Sequence, residues 1–270
     1  MPYFKGYQGK QLFFTNNQPE TAQASSVSLL FIHGLGASSS YYFPIIPSLT
    51  AKGYRCITMD TYGNGLSTYT GAENSIKTIA NDALALLESL NVTKNVVVVG
   101  HSMGGIVASH LLATDKKNLF VGTVLLAPSH PGPNITQAMD ERVATIEKGG
   151  MEILANTTPK VALGSAATPL ARAFFREFQI RNDPKAYISL CSAIANADVP
   201  DYASIKKPAL ILVGDEDKSL KGVEHIALEY GTPKGEKEMR LLPGIGHWLV
   251  LEAPELVFKH ISEYLDKITA

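Results

Sequence analysis

Apolar residues along this 270-residue chain form two kinds of pattern, which follow one another repeatedly. Short continuous apolar runs are typical of strands buried on both faces of a parallel sheet, whereas apolar residues at every third or fourth position are typical of helices. The runs that predict strands are 27–32, 54–59, 96–99, 121–127, 209–213 and 238–242. The periods that predict helices are 75–90, the stretch after Ser102, 223–230 and 254–268. Strands that alternate with helices predict an α/β fold with a mostly parallel sheet covered on both faces.

Two parts of the chain depart from this alternation. Residues 3–14 contain turn-forming glycines and predict one or two short antiparallel strands at a sheet edge, followed by a polar loop at 16–26. Residues 129–200 instead carry amphipathic helical patterns separated by prolines, at 135–148, 151–155, 170–180 and 184–197. We therefore expect a first core segment (1–128), a helical lid (129–200) over the carboxyl ends of the strands, and a second core segment (201–270).

Composition narrows the class of protein. The chain is 45% hydrophobic and 18% charged with a net charge of −1, as in an ordinary globular protein. The chain has no dense basic run of the kind that indicates a nucleic acid or an anionic membrane as partner. It also has no apolar run of membrane-spanning length. Residues 1–10 lack the apolar core of a signal peptide, and Cys56 and Cys191 lie far apart, so we expect reduced thiols and a cytoplasmic protein. The sequence shows no metal cluster, dinucleotide fingerprint or phosphate loop, so no cofactor is expected, and it leaves the oligomeric state open.

The sequence G-x-S-x-G at 100–104 is the main chemical signal. It follows four consecutive valines and precedes a predicted helix, so Ser102 lies on a sharp strand-to-helix turn. Gly100 and Gly104 remove side chains that would collide with neighbouring elements, which leaves the serine hydroxyl exposed above the sheet edge. The N-terminus of the following helix points its positive dipole end at whatever Ser102 attacks.

A serine nucleophile needs a base and a carboxylate that orients the base. The base is expected in the loop after the last strand, where His247 lies in Gly246-His247-Trp248. The other histidines lie beside the nucleophile, in helices, before the glycine turn or, for His130, at the start of the lid, and we expect packing, surface or structural roles for them. The carboxylate is expected after the preceding strand, where the pattern leaves Asp215, Glu216 and Asp217 as alternatives.

Taken in chain order, five features resemble the α/β-hydrolases that carry a lid: His33-Gly34, the segment 60–67, the Ser102 turn, Gly214 with Asp217, and Gly246-His247. The resemblance implies an eight-stranded, mostly parallel sheet and selects Asp217 as the triad acid. It also implies an oxyanion hole formed by the backbone N–H groups of Leu35 and Met103. Asp60 matches a position that usually braces loops.

The lid sequences at 139–151, 183–187 and 191–198 are similar to those of 3-oxoadipate enol-lactonases, which open a small acidic lactone ring with water, although the His33-Gly34 pair departs from those enzymes. The resemblance implies a serine hydrolase for a small ester or lactone. Aromatic residues expected to line its pocket are Trp248, Phe174, Phe178 and Tyr187. Cofactor-free cleavage of carbon–carbon bonds in diketone acids and a slow-turnover lactone receptor remain alternatives. Serine at the turn excludes haloalkane dehalogenases and epoxide hydrolases, which need a carboxylate there.

Overall fold

An eight-stranded sheet forms the centre of the computed structural model, which describes residues 2–19 and 25–269. Its strands are β1 (Tyr3–Lys5), β2 (Gln11–Asn17), β3 (Ser28–Ile32), β4 (Arg55–Met59), β5 (Val96–His101), β6 (Phe120–Leu126), β7 (Ala209–Gly214) and β8 (Lys237–Leu242). Across the sheet they follow the order β1-β2-β4-β3-β5-β6-β7-β8. Strands β3 to β8 are parallel, and β1 and β2 form an antiparallel edge. The predicted mostly parallel sheet is therefore confirmed.

Ten α-helices lie within the described residues. They are α1 (Ile46–Ala51), α2 (Ile76–Ser89), α3 (Met103–Ala113), α4 (Pro133–Thr157), α5 (Pro159–Ala162), α6 (Pro169–Ile180), α7 (Pro184–Ala195), α8 (Leu220–Glu229), α9 (Leu249–Glu252) and α10 (Pro254–Thr269). Helices α1, α5 and α9 have only four to six residues, too few to show a helical period in the sequence. None of the helices in the described ranges is long and apolar enough to cross a bilayer.

The valine run of β5 shows why the sheet is buried on both sides. Because side chains alternate along a strand, Val96 and Val98 join the apolar cluster that includes α2 and α3. Val97 and Val99 join the opposite cluster, which includes α1 and α10. All four side chains are fully buried, so the two-sided burial predicted for this run is confirmed.

One local feature agrees with the sequence prediction and one differs from it. The patterns at 135–148 and 151–155 correspond to two helical segments of α4, separated by a kink where Gly149 and Gly150 have non-helical backbone angles and Gly150 adopts a φ of +67°. The predicted polar loop at 16–26 begins later than expected, because Asn16 and Asn17 pair with β4, and its residues 20–24 lie outside the described residues.

Helices α4 to α7 all come from the chain between β6 and β7. They and the carboxyl ends of the parallel strands contribute residues to one cavity of about 680 Å³. The candidate site lies in this cavity, where ligands of open α/β sheets bind.

Candidate active site

Ser102 occupies a strained turn between β5 and α3. Its φ of +52° and ψ of −114° cost about 1–3 kcal/mol for a residue with a side chain. The turn is this tight only because its flanking residues are glycines. A Cβ at Gly104 would lie 2.0 Å from the carbonyl oxygen of Ile32, and one at Gly100 would lie 2.3 Å from that of Gly104. The packing therefore requires both glycines and brings Ser102 to the cavity wall.

His247 and Asp217 are joined by a hydrogen bond of 2.8 Å between Nδ1 and Oδ2. They come from the loops after the neighbouring strands β8 and β7. The other two acids of the same loop have different partners. Asp215 accepts the N–H of Gly244 at 2.7 Å, and Glu216 accepts the N–H and the hydroxyl of Ser165. Of the three acids, the structure brings Asp217 to the histidine.

The pair is electrostatically coupled. Burial raises the pKa of the Asp217 carboxyl, but the charge of His247 and the hydrogen bonds from His247 and Ser219 outweigh burial and lower the pKa to about 2. Burial lowers the pKa of the His247 imidazole, but the charge and hydrogen bond of Asp217 outweigh it, so the pKa is raised above 6.5. With Nδ1 committed to Asp217, the other ring nitrogen, Nε2, is left to accept a proton.

The hydroxyl of Ser102 pairs with a second hydroxyl in this structure. Its Oγ lies 3.2 Å from the Oγ of Ser129, and the backbone N–H of Ser129 donates to the Ser102 carbonyl at 3.1 Å. Ser102, Ser129, Asp217 and His247 all line the same cavity. The three predicted triad residues therefore share one site, and the Ser102 hydroxyl is turned toward Ser129 rather than hydrogen-bonded to His247.

The backbone N–H groups of Leu35 and Met103 have no acceptor among the described residues. Met103 is the first residue of α3, and Leu35 lies in the turn after β3 and lines the cavity. The carbonyls on both sides of Leu35 are held. That of Gly34 accepts from His33 Nδ1 at 2.8 Å, and that of Gly36 accepts from the Asn182 side chain at 3.1 Å.

The aromatic lining of the cavity differs from the sequence prediction. Trp248 lines it as expected, but Phe174, Phe178 and Tyr187 do not. On α6 the inward position belongs to Phe175, whose ring packs against Trp248 at 4.3 Å, while Phe174, one residue and about 100° earlier, is 41% exposed. Phe178 packs between Phe174 and Trp248. Tyr187 is buried, with its hydroxyl against Arg142. The rotation of α6 about its axis decides which of the two phenylalanines faces inward. Two adjacent residues of the same type do not reveal that rotation.

Arg142 is a site residue that the sequence analysis missed. Its Nη1 donates to the Tyr187 hydroxyl at 3.0 Å, and no carboxylate of the described residues lies within 4 Å of its guanidinium. A signal for it was present, because Arg142 shares the apolar stripe of α4 with the buried Met139 and Ile146, at i+3 and i+7. A charged residue at an otherwise apolar position of a helix is therefore the sequence signal that could have identified Arg142 as a site residue.

The cavity carries an excess of positive charge. Arg142, Lys218 and Lys221 line it, whereas the only carboxylate among the described lining residues, Asp217, is bound to His247. The cavity is therefore suited to an anionic ligand. Within residues 2–19 and 25–269, no three His, Cys, Asp or Glu side chains are grouped as metal ligands would be.

Glu252 was also missed. It lies at the end of α9, is buried, and accepts backbone N–H groups on both sides of His247. Contacts of this kind leave no periodic or compositional signal, because the partners are backbone groups of residues of any type.

Comparisons with known proteins agree with this architecture. The putative non-heme bromoperoxidase BpoC of Mycobacterium tuberculosis is 25% identical over 253 residues, which cover 90% of this chain and 95% of that protein. The enol-lactonase from Burkholderia xenovorans matches the structure with a TM-score of 0.86 at 22% identity, covering 98% of this chain and all of that one. A thermophilic esterase from Thermogutta terrifontis also gives a TM-score of 0.86, at 19% identity over 99% of this chain and 98% of its own. At these identities the structural likeness shows the fold.

The model of the alpha/beta hydrolase family matches residues 29–260, a range that contains Ser102, Asp217 and His247. This match and the homologues named as hydrolases support general hydrolase activity. The chain belongs to the alpha/beta hydrolase family.

Proposed function

We propose that this protein hydrolyses a small carboxylic ester or lactone through an acyl-enzyme formed on Ser102. The observation that carries the proposal is the hydrogen-bonded Asp217–His247 pair beside the strained Ser102 turn. In this family setting, those groups supply a nucleophile, a base and the carboxylate that orients the base. The helical segment 129–200 then acts as the lid over the site.

Turnover begins with a rotation of the Ser102 side chain from Ser129 toward His247. Nε2 of His247 takes the hydroxyl proton as Oγ bonds to the substrate carbonyl carbon, and the carbonyl oxygen becomes an oxyanion. The N–H groups of Leu35 and Met103 stabilise that oxyanion, a contribution of about 3 kcal/mol per donor. The protonated His247 returns its proton to the leaving alkoxide, and the acyl group remains on Ser102.

Deacylation repeats the sequence with water. Nε2 of His247 takes a proton from water, the resulting hydroxide oxygen bonds to the acyl carbon, and Ser102 leaves with the proton from His247. Asp217 keeps its negative charge throughout and stabilises the imidazolium in both halves. A lactone follows the same steps, with the leaving oxygen attached to the acyl chain.

The cavity supports a small substrate that carries a carboxylate. A volume of about 680 Å³ accommodates a compact ligand, and Trp248 and Phe175 supply an apolar wall. A partly buried guanidinium without a carboxylate partner is costly, so Arg142 is explained if the substrate supplies the anion. The enol-lactonase and esterase among the similar structures support this reaction class.

One other reaction is favoured by the same arginine. Hydrolysis of a carbon–carbon bond in a diketone acid uses the same nucleophile and base, and such a substrate also carries a carboxylate. A ketone product released without an alcohol distinguishes this reaction from ester hydrolysis.

The test compares three activated esters: p-nitrophenyl acetate, p-nitrophenyl hydrogen succinate, and the methyl ester of the latter, which has nearly the same size as the succinate but lacks its charge. The wild-type protein is expected to turn over all three continuously and to prefer the succinate monoanion. Arg142→Gln is expected to lose that preference, while Lys218→Gln, a cation at the same cavity, keeps most of it. A single burst of p-nitrophenol without continued turnover would identify a receptor. Turnover that persists in Ser102→Ala would overturn the proposal.

A further inference from the structure

We infer that Glu252 is a positioning residue for His247: its carboxylate fixes the backbone on both sides of the histidine and so aims the imidazole. The inference rests on the proposed function only in taking His247 as the base. Glu252 makes no hydrogen bond to the Ser102 hydroxyl, so its effect passes through the backbone that carries His247.

Three backbone N–H groups converge on this carboxylate. Oε1 accepts from Trp248 at 2.9 Å, and Oε2 accepts from Gly246 at 2.9 Å and from Gly164 at 2.7 Å. Residues 246 and 248 flank the histidine, and residue 164 belongs to the lid. One buried side chain therefore connects the histidine loop to the lid.

The remaining backbone groups of His247 are fixed as well. Its N–H donates to the carbonyl of Ala162 at 2.8 Å, and its own carbonyl lies 2.9 Å from Nε2 of the buried His101. Together with the bonds to Glu252, the backbone N–H groups of residues 246–248 and the carbonyl of His247 all have partners. These backbone contacts fix where the imidazole is attached, and the hydrogen bond to Asp217 fixes the orientation of its ring.

Glu252 can act in this way because α9 is anchored in the core. Leu249 and Val250 are fully buried, and the Val250 N–H donates to the Tyr41 hydroxyl at 3.2 Å. The helix is one turn long, so its final residue points back to the loop from which it started. A glutamate there reaches the N–H groups that precede and begin the helix, which have no partners inside it.

The three donors and the absence of a neighbouring acceptor among the described residues indicate that Glu252 is ionised. Burial raises the pKa of its carboxyl above the ordinary value, although the three N–H donors oppose that effect. Its charge is one of three that act on His247 from the surrounding elements. Asp217 and Glu252 favour the imidazolium, Arg142 on α4 disfavours it, and the neighbouring His101 on β5 is kept neutral by burial.

The chain supplies a matched control. Glu216 also joins the core to the lid, at the residue next to Gly164, by accepting the N–H of Ser165 at 2.8 Å and its hydroxyl at 2.5 Å. It is exposed, and its side chain hydrogen-bonds to Ser165 and to neither neighbour of His247. Glu216→Gln therefore weakens a comparable link to the lid without changing a side-chain contact to the residues that flank His247.

The experiment measures kcat, KM and their pH dependence for Glu252→Gln and Glu216→Gln with p-nitrophenyl acetate. Because displacing a catalytic group by about 1 Å costs about 100-fold, we expect kcat to fall by about tenfold or more in Glu252→Gln. KM is expected to change little, and the acidic limb of the profile to move to lower pH since one negative charge near His247 is lost. Glu216→Gln is expected to keep the wild-type kcat and the wild-type position of the acidic limb of the pH profile. Wild-type kcat in Glu252→Gln, or equal losses in both variants, would overturn the inference.

Two further measurements keep the test decisive. If Glu252→Gln does not fold, Glu252→Asp retains the charge but shortens the reach, so we expect a lower kcat with an unmoved acidic limb; wild-type kcat would refute the role. NMR titration of the His247 imidazole in a Ser102→Ala background requires no turnover. A downward shift of that imidazole pKa on adding Glu252→Gln supports the inference even if the proposed esterase activity fails, and an unchanged value contradicts it.

Discussion

Asp217 and His247 lie on neighbouring loops at the carboxyl edge of the sheet, and the 2.8 Å bond between Oδ2 and Nδ1 joins them although they are 30 residues apart in sequence. The bond forms because β7 and β8 pair in parallel from Ala209–Lys237 to Gly214–Leu242, so that both loops leave the sheet side by side. Strand register therefore decides which acid meets the histidine.

Ser102→Ala is expected to lower kcat by about 10⁴-fold or more while leaving the fold intact, because it removes the nucleophile and no packed group. Steady-state kinetics with p-nitrophenyl acetate and the thermal unfolding midpoint measure the two effects. A serine-directed phosphonate should label the wild-type protein at Ser102, with Ser129→Ala as the control for the neighbouring hydroxyl. Label on another serine would contradict the assignment.

Asp217→Asn is expected to lower kcat by about 10⁴-fold, since an amide leaves the imidazole in the wrong tautomer. Asp215→Asn should cost far less, because Asp215 binds only the Gly244 N–H in the adjoining loop. The comparison uses kcat for both variants under identical conditions. Equal losses would show that Asp217 does not orient His247 alone.

Activity should rise with pH through one ionisation. His247 must be neutral to take the Ser102 proton, and the charge of Asp217 raises the pKa of its imidazole above 6.5 in spite of burial. The midpoint of kcat/KM is therefore expected above pH 6.5, with activity lost as the pH falls through it. A profile that declines from acid to neutral pH would exclude His247 as the base.

Short acyl chains should be hydrolysed better than long ones, because the lid and the rings of Phe175 and Trp248 limit the cavity to about 680 Å³. The measurement is kcat/KM over p-nitrophenyl esters from acetate to palmitate, together with five- and six-membered lactones. A maximum at long chains would mean that the lid opens into a larger site.

Gly104→Ala should destabilise the protein by about 3 kcal/mol or more, since its Cβ would meet the Ile32 backbone oxygen and neither group can move aside. Gly222→Ala in α8 is the matched control, because its Cβ would meet only the His130 side chain at 3.4 Å. That change is expected to be neutral or stabilising by up to about 1 kcal/mol, as helical alanine replaces glycine. Denaturant unfolding measures both.

The sequence was sufficient for the sheet and for the residues at its edge because both depend on local patterns. The run of four valines predicted a strand buried on both faces, which β5 is, and G-x-S-x-G predicted the turn that follows it. His247 and its acid follow from chain order, although choosing Asp217 over Asp215 required a family resemblance and not the residues alone.

The lining of the cavity could not be predicted in the same way. Phe174 and Phe175 are adjacent and chemically identical, and only the packing of α6 against Trp248 decides which faces inward. Glu252 acts on backbone N–H groups, which every sequence has. Arg142 is the exception, because a cation within an apolar stripe was visible before the fold was known.

The contact at Gly164 has a consequence for how the lid can be exchanged between enzymes. A Cβ there would lie 2.4 Å from the Gly244 oxygen and 2.5 Å from the Gly246 nitrogen, so lid and histidine loop touch main chain to main chain. A chimera that receives a foreign helical segment cut at 129 and 200 would therefore need a glycine at this interior position, because any larger residue would push that segment away from the loop that carries His247.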